Sequence, residues 1–155
     1  MTSTSDLHDA NADRAIVCET QFRQFGAVRA FSGPIATVRC FEDNVLVKQR
    51  VSEPGEGRVL VVDAGGSYRC ALVGDNVAGL ALANGWAGIV INGCVRDTGE
   101  LAKLTLGIKA LGSCPRPSGK TGEGEIDVPV SFGNAVFTPG DELTSDDDGI
   151  VVLPR

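Results

Sequence analysis

The chain has 155 residues, a formal net charge of −6, 43% hydrophobic residues and 22% charged residues, values that are typical of one globular domain. The acidic balance, without any Lys/Arg cluster longer than a dipeptide, argues against direct binding to nucleic acid. No apolar stretch approaches the roughly 18 residues of a membrane-spanning helix, so we predict a cytoplasmic protein without a membrane segment.

The chain reads as a single domain over residues 1–155, in which the polar residues 1–13 form a frayed or helical lead-in. Short apolar and β-branched runs bounded by Gly, Pro, Asp or Asn predict the strands. These runs span residues 35–40, 45–48, 58–63, 69–73, 88–92, 126–131, 135–138 and 150–153. Asp148-Gly149 predicts a turn between the last two strands.

Two segments have helical patterns. Residues 75–84 place apolar side chains on one face and are followed by Gly85, which favours a helix end. Residues 98–106 are preceded by Asp97, which we expect to cap that helix, with Glu100 completing a capping box. The middle of the chain therefore predicts an α/β fold with a strand–helix–strand–helix unit and parallel strands.

Ligands of α/β sheets bind beside helix N-termini at the carboxyl ends of the strands. Gly74-Asp75 and Arg96-Asp97 both fall at such ends in the predicted unit. The amides of Asp75, Asn76 and Val77 would then face the crevice and suit a small carboxylate.

The spacing by itself leaves two interpretations of Arg96-Asp97 open. In one, Asp97 only caps the following helix and Arg96 forms a surface ion pair. In the other, the Arg96 guanidinium binds a substrate carboxylate while Asp97 holds a cation beside it. Asp75 has the same ambiguity, because acidic residues are common in the first turn of a helix.

Several other motifs are set aside. Gly119-Lys120-Thr121 resembles the end of a phosphate-binding loop, but Cys114 stands where that loop needs a glycine, so we expect a surface loop. Gly65-Gly66 fails the dinucleotide pattern and predicts a hairpin turn. No glycine motif typical of S-adenosylmethionine binding is present either.

The metal-ligating side chains are equally restrictive. His8 is the only histidine, which argues against histidine-based catalysis and zinc binding. Any metal would be oxygen-ligated Mg²⁺ or Mn²⁺, with Asp75 and Asp97 as the candidate carboxylates. The five cysteines form no CxxC pair, so we expect buried, reduced thiols. They are Cys18, Cys40, Cys70, Cys94 and Cys114.

Asp75, twenty intervening residues and then Arg96-Asp97 resemble the D/E-x20-R-D pattern of class II 4-hydroxy-4-methyl-2-oxoglutarate aldolases, which belong to the RraA-like family. The flanking segments are similar as well, and the resemblance covers roughly residues 20–153. The matching segments are residues 58–63, 71–74, 85–93, 107–110, Asp127 with its neighbours, and 139–149.

This resemblance implies a swivelling β/β/α domain with a barrel-like core of sheets flanked by helices. It also implies a homotrimer, or a hexamer, with active sites near subunit interfaces. Carried over by position, residues 74–77 and Arg96 would bind pyruvate, and Asp97 would ligate the metal. Asp75 would act through a water of the metal's shell.

The implied reactions are aldol cleavage of 4-hydroxy-2-oxo acids and decarboxylation of oxaloacetate, with a pyruvate enolate as the shared product. A Schiff-base route is disfavoured, because no lysine accompanies the matched motif. The other branch of the family implies a different function, that of a protein that binds ribonuclease E and inhibits it. Members of that branch tend to lack the intact Arg-Asp pair that this chain retains.

Overall fold

A computed structural model describes residues 1–155. The four helices are α1 Thr4–Ala10, α2 Val45–Val51, α3 Asp75–Ala83 and α4 Thr98–Leu101. The first six strands are β1 Ile16–Cys18, β2 Arg23–Gln24, β3 Phe31–Arg39, β4 Val59–Asp63, β5 Ala71–Val73 and β6 Gly88–Val95. The other six are β7 Gly107–Ser113, β8 Glu125–Ile126, β9 Val130–Phe132, β10 Ala135–Phe137, β11 Glu142–Asp146 and β12 Gly149–Leu153.

The centre of the sheet is parallel. Strands β3, β4, β6 and β7 lie side by side in that order, and β5 pairs with the second half of β6 beyond the end of β4. The outer strands β11, β12 and β1 continue antiparallel from the first half of β3, and β2 pairs antiparallel with β7. The parallel strands therefore end at one edge, where α3 and α4 begin.

Two apolar cores cover the two faces of the central sheet. The larger core contains 23 buried residues, and α2, α3 and α4 pack over it. The smaller one contains 12 buried residues and joins the central strands to the antiparallel strands and the β9–β10 hairpin. The layers are thus β/β/α, which confirms the predicted fold class.

Most of the predicted strands are confirmed with shifted ends, as is the helix over 75–84, which is α3. Gly85 follows α3 with a φ of 80°, the left-handed conformation that ends helices and favours glycine. The predicted strand 58–63 is β4, whose first four residues are all buried. The strand predicted over 88–92 is longer than expected, because β6 continues to Val95.

The strand predicted over 45–48 is wrong, because this segment is helix α2. Val47, Arg50 and Val51 are buried, a helical spacing rather than the alternation of a strand. The β-branched character of the segment suggested a strand, but packing of this face on the sheet favours the helix.

Two other predicted elements are shorter than expected. The helix over 98–106 is a single turn, because the chain leaves it after Leu101 to enter β7 beside β6. The strand over 126–131 divides into β8 and β9. Asp127 between them has a φ of 56°, and Pro129 cannot donate to a ladder.

The sequence patterns also missed some structure. Strand β11 is largely polar, but it pairs on both sides with β3 and β12. The turn predicted at Asp148-Gly149 lies one residue earlier, at Asp147-Asp148, and it joins β11 to β12.

The N-terminal lead-in is helical, one of its two predicted states, because it contains helix α1. Thr4 ties it to β11 by donating its amide and hydroxyl to the Asp146 carboxylate at 2.9 and 2.7 Å.

Gly65-Gly66 lies in a turn, but the predicted hairpin is wrong, because β4 and β5 both run parallel to β6. All five cysteines are free thiols, of which four are buried and Cys114 is partly exposed. Burial raises the pKa of Cys40 to about 12, with the charges of Asp43 and Asp63 adding to the effect. No helix has the length and apolar character needed to cross a membrane.

Candidate active site

The pairing of β5 with β6 brings the two predicted site segments together. Val73 lies opposite Val95 in the parallel ladder, and the Arg96 amide donates to the Val73 carbonyl at 2.9 Å. Gly74-Asp75 and Arg96-Asp97 follow directly at the carboxyl ends of these strands. This is the arrangement that the sequence predicted.

The Asp97 side chain does not have its predicted role as a helix cap. Asp97 precedes α4 with a left-handed φ of 58° and makes no side-chain capping bond, so the capping box does not form. Its Oδ2 instead accepts a hydrogen bond of 3.0 Å from the Asp75 amide at the start of α3. The carboxylate therefore joins the two segments and faces the space between them.

This hydrogen bond also affects ionisation. The Asp75 amide holds the pKa of Asp97 below its ordinary value, and the Asp75 side chain and the positive charge of Arg96 act in the same direction. Asp97 is therefore a carboxylate at neutral pH. Its Oδ1 accepts no hydrogen bond from the protein and is available to a cation.

Gly74 leaves the room that the Asp97 carboxylate occupies. A Cβ added to Gly74 would lie 2.5 Å from Asp97 Oδ2 and 3.3 Å from Arg96 Cγ. Any larger residue at this position would have to displace the carboxylate. The backbone of Gly74 is extended, with a φ of −118°, so this glycine is required for space and not for its conformation.

Arg96 does not form the surface ion pair of the alternative interpretation. Its only hydrogen bond from the side chain runs from Nη1 to the Pro115 carbonyl at 3.4 Å, and none of the ion pairs includes it. Arg96 is partly exposed, and its guanidinium keeps most of its five donors free for a ligand.

The first turn of α3 offers further donors. The first bond within this helix runs from the Ala78 amide to the Gly74 carbonyl, so the amides of Asn76 and Val77 have no acceptor inside the helix. They point in the same direction as the positive end of the helix dipole. Together with Arg96 they form a group of donors suited to a small carboxylate.

All of the predicted site residues line one cavity of about 550 Å³, a volume within the usual range for small-molecule sites. Gly74, Asp75, Asn76, Val77, Arg96 and Asp97 form one side of it. The opposite side is a face of α2 that presents Asn44, Val45, Lys48, Gln49 and Ser52. The cavity therefore lies between α2 and the start of α3.

Sequence reasoning missed the two lysines of this cavity, Lys48 and Lys120. The sequence predicts a strand at Lys48, and it predicts a surface loop at Lys120, within the motif that fails as a phosphate-binding loop. The loop does lie at the surface, but Lys120 reaches the rim of the cavity, where its Nζ donates to Asn44 Oδ1 at 2.6 Å. Both lysines are solvent-exposed, unlike the desolvated lysine of a Schiff-base enzyme.

Asp43 holds the loop that carries Lys120. This buried carboxylate accepts bonds from the amide and hydroxyl of Thr121 and from the amides of Gly122 and Val45. Burial raises the pKa of Asp43, but these bonds outweigh it, and the pKa lies below its ordinary value. If residues 45–48 had been predicted as a helix, Asp43 and Lys48 could have been placed near the site.

The donors in the cavity suit only one class of metal. No group of three or more His, Cys, Asp or Glu side chains could enclose an ion, and His8 lies in α1 at a different surface. Asp97, with Asp75 beside it, fits a hard cation that takes one or two carboxylates and completes its shell with water and substrate oxygens, as Mg²⁺ does.

The chain is similar to several known proteins. A family model described as "RraA-like: Aldolase/RraA" matches residues 4–152. A protein of Alkalilimnicola ehrlichii that is provisionally named a 4-hydroxy-4-methyl-2-oxoglutarate aldolase is 56% identical over 149 residues, which cover 96% of this chain and 92% of that protein.

Two solved structures are also similar to the chain. One is described as S-adenosylmethionine:2-dimethylmenaquinone methyltransferase from Geobacillus kaustophilus, with a TM-score of 0.98, 45% identity, and coverage of 99% of this chain and 96% of that one. The other is the RNA-processing inhibitor RraA from Thermus thermophilis, with a TM-score of 0.97, 42% identity, and coverage of 100% and 94%.

Proposed function

The chain belongs to the RraA-like family of Aldolase/RraA proteins, and on this premise we propose that it is a divalent-metal-dependent pyruvate aldolase. Its substrates would be 4-hydroxy-4-methyl-2-oxoglutarate and similar acids, which it would cleave to pyruvate and a second 2-oxo acid. The same site would decarboxylate oxaloacetate. The observation that carries the proposal is that Arg96 and Asp97 both line the cavity beside Asp75, where the Asp97 carboxylate is held by the Asp75 amide and does not cap α4.

Substrate binding would rest on the donors at the start of α3. The Arg96 guanidinium and the amides of Asn76 and Val77 would hold the C1 carboxylate of the 2-oxo acid. This binding mode would orient the C2 carbonyl towards Asp97. Arg96 would then lie beside the C2 oxygen, on which negative charge accumulates as the C3–C4 bond breaks, so it would favour the transition state over the substrate.

Asp97 would hold Mg²⁺ or Mn²⁺ through the oxygen that accepts no hydrogen bond. When bound, the cation supplies Lewis-acid polarisation of the C2 carbonyl. The amide of Asp75 fixes the orientation of the Asp97 carboxylate through the other oxygen. The depressed pKa of Asp97 keeps its carboxyl group ionised and therefore able to bind a cation.

Asp75 is exposed to the cavity and would accept the proton of the C4 hydroxyl through a water molecule. Loss of that proton turns the hydroxyl into a carbonyl as the C3–C4 electron pair moves to C3 and the C2 oxygen. The same proton can return to C3 to give pyruvate. Decarboxylation of oxaloacetate needs no base in its first step, because the electron pair is released as carbon dioxide leaves.

The test follows pyruvate release from 4-hydroxy-4-methyl-2-oxoglutarate and from oxaloacetate with Mg²⁺, with a chelator, and in Asp97→Ala. Turnover should require the metal and should be lost in the variant. Asp13→Ala is a matched control, because Asp13 is an exposed aspartate without a hydrogen-bond partner and lies outside the cavity. Equal turnover in the two variants, or none above the metal-only background in the wild-type protein, would defeat the proposal.

Regulation of a ribonuclease is a second candidate, favoured by the 42% identity to the Thermus RNA-processing inhibitor over the whole chain. The net charge of −6 would complement a basic segment of ribonuclease E. Capture of that ribonuclease by the immobilised protein, weakened by added salt, would support this role. Binding that is absent or insensitive to salt would count against it.

The assembly is also a proposal. Family resemblance leads us to propose a homotrimer in which the cavity lies near a neighbouring subunit. Light scattering coupled to gel filtration measures the molar mass, and a value of one or two chains would contradict this assembly.

A further inference from the structure

Lys48 and Lys120 have no role in the chemistry proposed above, although both line the same cavity. Neither forms an ion pair, and Lys120 donates only to the neutral side chains of Asn44 and Ser118. Two unpaired ammonium groups therefore face one cavity of an otherwise acidic protein. They lie on α2 and the neighbouring loop, across the cavity from the donors at the start of α3.

We propose that Lys48 and Lys120 form the subsite that binds the distal carboxylate of the substrate. The inference rests on the proposed aldolase function and assigns to it two residues that determine specificity. Arg96 and the α3 amides would bind the C1 carboxylate at one side, and the two lysines would bind the far carboxylate at the other. A 2-oxo acid that ends in an alkyl group would leave this second side without a partner.

The fold places both lysines with little freedom of the backbone. Lys48 lies one helical turn after Asn44, so both side chains are on the face of α2 that lines the cavity. Asn44 is itself fixed, because its Nδ2 donates to the Leu72 carbonyl at 2.9 Å. Lys120 is held from the other direction by the bonds between Asp43 and the residues that follow it. Both positions are therefore built into the cavity wall.

The subsite has different consequences for the two reactions. In aldol cleavage the distal carboxylate keeps its charge throughout, so the lysines would bind substrate and transition state equally, and their loss should raise KM with little change in kcat. In oxaloacetate decarboxylation the distal carboxylate is the group that leaves as neutral carbon dioxide. Lysines that hold it would stabilise the substrate more than the transition state, so their removal should raise KM and kcat together.

The first experiment measures binding alone and does not depend on turnover. Isothermal titration with Mg²⁺ present compares 2-oxoglutarate with 2-oxopentanoate, two five-carbon acids that differ in whether they end in a carboxylate or a methyl group. Wild-type protein should prefer 2-oxoglutarate. The double variant Lys48→Met/Lys120→Met should weaken 2-oxoglutarate by about tenfold, from two solvent-exposed charge contacts, and leave 2-oxopentanoate and pyruvate unaffected.

Two controls sharpen the comparison. Lys103→Met removes an exposed lysine that pairs with Glu100 outside the cavity, and it should change neither affinity. Lys48→Met alone disturbs no hydrogen bond of the fold, so it tests the subsite if the double variant is unstable. A second experiment measures kcat and KM of these variants for both reactions. The lysine variants should raise KM alone in aldol cleavage, and they should raise KM and kcat together in oxaloacetate decarboxylation.

The outcomes separate the two proposals. If wild-type protein binds neither acid nor pyruvate, the 2-oxo acid site itself is refuted, and the subsite with it. If wild-type protein binds both five-carbon acids equally, or if the lysine variants weaken both by the same factor, the subsite is refuted while the aldolase proposal stands. Selective loss of 2-oxoglutarate binding supports the subsite.

Discussion

Replacement of Gly74 by alanine tests whether the exact position of the Asp97 carboxylate matters for catalysis. The added Cβ would lie 2.5 Å from Asp97 Oδ2, so the oxygen must retreat by about 1 Å to reach ordinary van der Waals contact. That movement would break the bond from the Asp75 amide and turn the carboxylate away from the cavity. A displacement of this size in a catalytic group can lower the rate by about 100-fold.

Stability should change much less than activity in this variant. The extended backbone of Gly74 suits alanine, and such a replacement gains about 0.4–1 kcal/mol by restricting the unfolded chain. This gain offsets much of the cost of the lost hydrogen bond. We therefore expect the free energy of unfolding to stay within about 1 kcal/mol of the wild-type value, while kcat/KM for pyruvate release falls by about two orders of magnitude.

The assay combines urea unfolding with initial rates of pyruvate release over a range of Mg²⁺ concentrations. Gly79→Ala is the matched control, because a Cβ at this position in α3 meets nothing within 4 Å. It should retain activity and gain up to about 1 kcal/mol from better helix propensity. Wild-type activity in Gly74→Ala would refute the argument that Asp97 must occupy this position.

Three further predictions follow from other parts of the structure. Gly107→Ala should destabilise the fold by about 1–3 kcal/mol in thermal unfolding, because its Cβ would lie 2.1 Å from the Phe31 ring. Asp43→Asn should cost about 2 kcal/mol at pH 7 in urea unfolding. The pKa of Asp43 is depressed by its hydrogen bonds, so the carboxylate stabilises the fold fully above the ordinary pKa that it has in the unfolded chain. This advantage over Asn should disappear as the pH falls through the lower folded pKa, and an advantage constant down to pH 2 would contradict it. Arg96→Lys should lower kcat/KM for pyruvate release by at least about tenfold, since an ammonium cannot reproduce the planar fork of donors; unchanged kinetics would show that Arg96 acts only as a charge.

Sequence patterns predicted an element correctly where the pattern of its own residues is sufficient to determine its structure. The buried run of β4 and the amphipathic pattern of α3 with Gly85 at its end predicted both elements. Sequence patterns failed where contacts with distant parts of the chain determine the secondary structure. Residues 45–48 have strand propensity but form a helix over the sheet, and the polar residues of β11 form a strand because β3 and β12 lie on both sides.

The candidate site divides in the same way. Asp75 and Arg96-Asp97 could be found from the sequence, because each follows an apolar strand and the strands of such a unit are parallel. The role of the Asp97 side chain could not be found, because helix capping and a bond to the Asp75 amide are both compatible with its position. The left-handed backbone of Asp97 and the space at Gly74 select the second arrangement.

The sequence by itself determined the α/β class and the two strand ends that carry the acidic and basic residues, and its single histidine led to the prediction that any metal would have oxygen ligands. Only the tertiary structure decided which residues lie on the opposite side of the cavity from these two strand ends. Lys120 meets Asn44 across 76 positions of the chain, and Lys48 reaches the same cavity because α2 packs beside α3. Spacing along the chain encodes local elements, whereas side chains from distant segments converge only when the pairing of strands and the packing of helices fix their relative positions.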